Sequence, residues 1–129
     1  MKVRRVSFAF VSAAFFAAFA TTCGTAYASS PEANTALARK AYATLRAGDA
    51  QGAVGEYSDA IESGMLEPDM LANALLNRAL AHQQLQDQKA AIADYDAAIK
   101  LNVMAPALRA TALYNRGIAL QKSGNTTQA

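Results

Sequence analysis

The stretch Ala91-Ile92-Ala93-Asp94-Tyr95-Asp96-Ala97-Ala98-Ile99 decides the fold, because its small–aromatic–small skeleton already stands 38 residues upstream. Ala53 precedes Ala91, Tyr57 precedes Tyr95, and Ala60-Ile61 precedes Ala98-Ile99. The same step relates Leu37, Leu75 and Leu113, then Ala41, Ala79 and Gly117, and also Pro68 and Pro106. Turn pairs keep phase too: Gly48-Asp49, Gln86-Asp87 and Gly124-Asn125, with Ala129 as a third copy of Ala53. A fixed period of this size marks a solenoid, in which each unit buries its apolar face only against its neighbours.

Inside each unit the spacing is helical. Leu37, Ala41 and Leu45 recur every four residues and make one apolar stripe, so a helix is expected from about Glu32 to Ala47. Ser29 with Glu32 three residues on, and Pro31 between them, reads as a capping signature. Gly48 suits the left-handed end of that helix, and Asp49 suits the cap of the next. The second helix carries Ala53, Val54, Tyr57, Ala60 and Ile61 and stops at Ser63-Gly64. Further helices are expected from Pro68 to Leu85, Lys89 to Leu101 and Pro106 to Ser123. The expected fold is all-α: a solenoid of stacked helical hairpins, about two and a half units near 34–71, 72–109 and 110–129.

The first 28 residues stand apart. Lys2, Arg4 and Arg5 form a positive start, Val6 to Ala20 is uncharged and apolar, and Ala26-Tyr27-Ala28 is a small-x-small cleavage site. That is the pattern of a secretory signal peptide, leaving residues 29–129 as the exported domain. An uncleaved anchor is the alternative, since no charge appears between Arg5 and Glu32, a run longer than the about 20 residues a hydrocarbon core needs. Cys23 lacks the small residue usually found directly before a lipidated cysteine. The expected location is periplasmic or secreted, or the inner membrane if the segment stays.

Removing those residues changes the bulk chemistry. All five Phe and the single Cys leave, so packing without disulfides must hold the fold. Three of the 12 basic residues also leave, and nine cations then face 10 acids for a net charge of −1. Nucleic-acid binding receives no support from such a balance. Nucleophilic catalysis would need a positioned base beside a nucleophile, yet only His82 is present. Asp94 and Asp96 lie two apart on a helix, point to different faces and are assigned to solvent, not to a metal. Gly48-Asp49-Ala50-Gln51-Gly52 lacks the Lys of a phosphate loop. No enzyme, cofactor or metal site is expected.

Over residues 34 to 129 the chain resembles the tetratricopeptide repeat (TPR) family. The resemblance rests on Leu75, Ala79, Ala91, Tyr95 and Ala98, their counterparts Leu37, Ala41, Ala53, Tyr57 and Ala60, and the run Leu113-Tyr114-Asn115-Arg116-Gly117. Small residues let helix backbones approach while Tyr fills the gap between hairpins. The period exceeds the family's usual 34 by about one helical turn, and Pro68 and Pro106 predict first helices lengthened at their start. Sel1-like repeats share the longer period, but no glycine-rich loop of their kind stands at Gln86-Asp87-Gln88. In the third unit, Leu113, Gly117 and Leu120 are expected to lack a covering helix, whether as an interface or as a truncated frame. By resemblance, His82 takes the place of an aromatic packed within its hairpin.

The resemblance also implies a groove lined by the first helices. These carry no Asp or Glu from Ala33 to Ala47, Met70 to Gln86 and Ala107 to Ser123, but hold Arg39, Lys40, Arg46, Arg78, Arg109, Arg116 and Lys122. Carried over position by position, the groove residues are Arg39, Tyr42, Arg46, Asn73, Leu76, Asn77, Leu80, Gln84, Tyr114, Asn115, Ile118 and Lys122, with Ala38 and Thr111 beside them. Basic residues of the family's carboxylate clamp are missing at Ala38 and Thr111, and only Asn77 agrees with it. The implied role is a protein–protein interaction scaffold whose basic groove takes another protein or an acidic peptide. Against this, Lys40, Arg78 and Arg116 could simply reach acids of the neighbouring helix. The alternative role is a self-associating or membrane-tethered structural element.

Overall fold

The computed structural model describes residues 30–124, which form five α-helices: α1 Pro31–Arg46, α2 Ala50–Glu62, α3 Pro68–Gln84, α4 Gln88–Leu101 and α5 Pro106–Lys122. Residues 1–29, on which the expected signal peptide falls, and residues 125–129 lie outside the described residues. No described helix is long and apolar enough to cross a membrane.

Helix starts follow from local chemistry. The Ser30 hydroxyl accepts the Ala33 N–H at 3.1 Å, so the first cap falls on Ser30 and not on Ser29. The shift places Pro31 at the first helical position, where a missing N–H costs nothing, and leaves Glu32 one place short of a capping box. Asp49 and Asp87 cap α2 and α4 by accepting the N–H groups of Gly52 and Ala90 at 2.8 and 3.1 Å. α3 and α5 begin at Pro68 and Pro106, seven residues before Leu75 and Leu113, as the long period implies.

Left-handed backbone recurs with the same period. It appears at Gly48 (φ 91°), Gln86 (φ 62°) and Gly124 (φ 83°), and again at Gly64 (φ 68°) and Asn102 (φ 56°). Gly48, Gly64, Gln86 and Asn102 turn the chain between successive helices, and at Gln86 a side chain is held where glycine is easier.

Each helix packs on the next in the chain, and α1 also touches α3. Ala41, Ala53, Ala60, Ala79, Ala91 and Ala98 are wholly buried, which permits close backbone approach. Tyr57 and Tyr95 fill the space between successive hairpins. Ile61, Leu71 and Leu80 pack against both halves of the core and make it continuous. This is an α-solenoid. Its third unit differs: Leu113 is 47% exposed where Leu75 is 7%, and a Cβ on Gly117 would meet nothing within 4 Å where Ala79 is buried. Leu120, expected on the same open side, is instead buried.

Candidate functional site

Two depressions lie along the face formed by α1, α3 and α5. The first, about 240 Å³, is lined by Ala38, Arg39, Tyr42, Tyr57, Met70, Asn73, Ala74 and Asn77. The second, about 80 Å³, is lined by Leu76, Asn77, Leu80, Tyr95, Leu108, Thr111, Ala112 and Asn115, with Asn73 at the boundary. Adding one period to each residue of the first gives a residue of the second: 38 becomes 76, 39 becomes 77, 42 becomes 80, 57 becomes 95, 70 becomes 108, 73 becomes 111, 74 becomes 112 and 77 becomes 115. The fold therefore builds one site twice. Asn73 and Asn77 border both copies and join them into a strip.

The two copies differ in chemistry. Leu76 replaces Ala38 and fills space, Asn77 replaces Arg39 and removes charge, and Leu80 replaces Tyr42. Their floors differ as well. The Tyr95 hydroxyl donates to Gln83 Oε1 at 2.8 Å, whereas the Tyr57 hydroxyl is buried without a hydrogen-bond partner. The reason lies one period back, where Leu45 stands in place of Gln83. An unpartnered buried hydroxyl costs about 1–3 kcal/mol. Burial, with Tyr42 and Glu56 nearby, pushes the Tyr57 phenol up to about 12.

Charges near the strip are mostly committed elsewhere. Lys40 pairs with Glu56 at 2.6 Å, and Thr44 donates to the same carboxylate at 2.8 Å. These two bonds hold Glu56 below the usual carboxylate range. Arg78 donates to both oxygens of Asp94 and to Ser58, Arg116 pairs with Asp96, and Arg109 holds the α4 C-terminus through Ile99 O and Asn102 Oδ1. Asp94, assigned to solvent from its spacing, is thus a correction: it is only 6% exposed, gripped by Arg78, with His82 Nε2 3.8 Å from it. Asp96 is exposed. Arg39 makes no ion pair or hydrogen bond among the described residues and is the one charged side chain lining either depression.

Of the groove residues read from the sequence, the structure brings together Arg39, Tyr42, Asn73, Leu76, Asn77, Leu80 and Asn115. Arg46 stacks over the Tyr42 ring, 5.9 Å from its centroid, and donates to its hydroxyl at 3.3 Å. Gln84, Tyr114, Ile118 and Lys122 line neither depression, and Tyr114 is 71% exposed. Sequence reasoning missed the floor residues Tyr57 and Tyr95, which it treated as wedges only; their 38-residue recurrence was the available signal.

Comparison with protein families, curated proteins and solved structures returned no match. The reading of the site therefore rests on its own geometry.

Proposed function

We propose that this chain is an exported adaptor of tetratricopeptide type, a binding module and not an enzyme, which holds an extended segment of a partner protein along the α1–α3–α5 strip. The observation that carries this reading is the duplicated depression with Asn73 and Asn77 shared between its copies. A concavity of about 240 Å³ is below the roughly 300–1,000 Å³ of a small-molecule site. It suits one side chain of a peptide. The side-chain amides of Asn77 and Asn115 have no partner among the described residues and can donate to and accept from a peptide backbone. Export rests on the N-terminal sequence, with an inner-membrane anchor as its alternative.

The test is selection of a displayed random-peptide library on the purified protein. Selected peptides should bind at least about tenfold more weakly to Asn77→Ala/Asn115→Ala, a loss of about 1.4 kcal/mol, at an unchanged melting temperature. Equal binding to both proteins would contradict the groove.

A second reading is favoured by one feature, the exposed Leu113 beside the open space at Gly117. Under it the α5 face self-associates. Sedimentation equilibrium would then give a mass that rises with concentration and falls to the monomer in Leu113→Glu. A monomer at all concentrations would remove this reading.

A further inference from the structure

We propose that the larger depression is a subsite for one acidic side chain of the bound peptide, held by Arg39, while the smaller takes an apolar side chain. This rests on the adaptor reading and adds the direction in which a peptide lies.

The solenoid supplies its own control, because the second depression is the first with five lining residues changed and its floor tyrosine differently bonded. In the second copy the floor hydroxyl is satisfied internally and no charged side chain lines the walls. Tyr95 has Gln83, and Gln83 in turn donates to Asn115 O at 3.3 Å. Leu76, Leu80, Leu108 and Ala112 leave an apolar recess. In the first copy the demands are open: Tyr57 lacks the partner that Tyr95 has, and Arg39 lacks any acid. Arg46, stacked on Tyr42, adds a second cation at the rim. Glu56, whose charge acts on Tyr57, is occupied by Lys40 and Thr44. A carboxylate supplies what Arg39 lacks, since it accepts from the guanidinium and neutralises it. The Ala38, Met70 and Ala74 walls suit the methylene stem of such a side chain.

The probes are two fluorescein-labelled, amidated octapeptides, Gly-Ser-Glu-Ala-Ala-Leu-Ser-Gly and the same sequence with Gln for Glu. The three-residue step from Glu to Leu spans about 10 Å, the usual separation of packed helices. Anisotropy should show the Glu peptide binding about tenfold more tightly than the Gln peptide, as charge-assisted hydrogen bonds imply. Arg39→Gln should remove most of that preference. Arg39 is exposed and makes no bond among the described residues, so Arg39→Gln should keep the melting temperature and lost preference is not lost folding. A third probe, the Gln peptide with a free C-terminal carboxylate, should bind no better than its amide.

No Glu preference, or one untouched by Arg39→Gln, would overturn the subsite. Rescue by the free terminus would overturn its assignment to a side chain. If Asn115→Ala weakens both peptides without any Glu preference, the subsite falls and the groove stands. Binding of neither peptide, or binding that Asn115→Ala leaves untouched, would sink both.

Discussion

Arg78 grips Asp94 across the α3–α4 hairpin with two parallel bonds, Nε to Oδ2 at 2.8 Å and Nη2 to Oδ1 at 2.7 Å. Both side chains are largely withdrawn from water, and Arg78 also donates to Ser58 of α2 at 3.0 Å. One guanidinium therefore ties three helices. Its neighbour in the previous unit, Lys40, makes the same i to i+16 connection to Glu56 at a more exposed place.

Breaking the buried pair from one side leaves an uncompensated charge. Asp94→Ala should lower unfolding free energy by on the order of 3 kcal/mol, while the double variant Arg78→Met/Asp94→Leu should lose much less. Urea denaturation of the two variants checks this, and equal losses would mean that the pair itself, not the stranded cation, supplies the stability.

The two buried tyrosines should answer differently to loss of the hydroxyl. Tyr95→Phe strands Gln83 and should cost about 1 kcal/mol, whereas Tyr57→Phe removes an unpartnered group and should be neutral or stabilising. Alkaline pH reports the same burial. The Tyr57 phenol ionises at an ordinary 10.0 when unfolded and at about 12 when folded, so the unfolded chain loses its proton first. Stability from this group is intact below pH 10 and falls by about 1.4 kcal/mol per pH unit as the pH rises toward 12. Urea midpoints across that range should decline less steeply in Tyr57→Phe; an identical decline would contradict the assignment.

Acid acts on the opposite member of the set. Lys40 and Thr44 lower the Glu56 pKa from its usual 4.5, so its contribution is present above about that pH and is lost as the pH falls through the depressed value. Glu56→Gln should flatten the acid limb of the stability profile. An unchanged limb would show that the α1–α2 carboxylate is not engaged in solution.

Turn positions offer a backbone test. Gln86 holds left-handed geometry at the place where units one and three have Gly48 and Gly124. Gln86→Gly should stabilise by up to about 1 kcal/mol, and Gly48→Ala should destabilise by about as much. Thermal denaturation of both variants decides the matter, and same-sign effects would argue against the shared turn.

Much of the fold is legible in the sequence because the devices that set it are local and periodic. Alanines at one spacing, Tyr at another and Asp-capped turns each act within a few residues of themselves. The first cap shows the limit of such reading: Ser29 and Ser30 are chemically alike, and only the preference for Pro31 at the first helical position separates them. Asp94 shows another, since spacing gives a face but not what reaches it, and the Arg78 guanidinium comes from the preceding helix. The site was legible at Arg39, Tyr42, Asn73 and Asn77, which repeat positions impose. The missing partner of Tyr57 was not, because it depends on whether residue 45 or residue 83, a full hairpin away in the chain, ends in an amide.

The most direct test of the central claim is chemical-shift mapping of the isotope-labelled protein titrated with a library-selected peptide. Binding along the strip predicts shifts in the side-chain amides of Asn73, Asn77 and Asn115 and in Arg39 and Tyr42, with the outward residues of α2 and α4 still. Shifts confined to α2 and α4, or to the Leu113 side of α5, would contradict it.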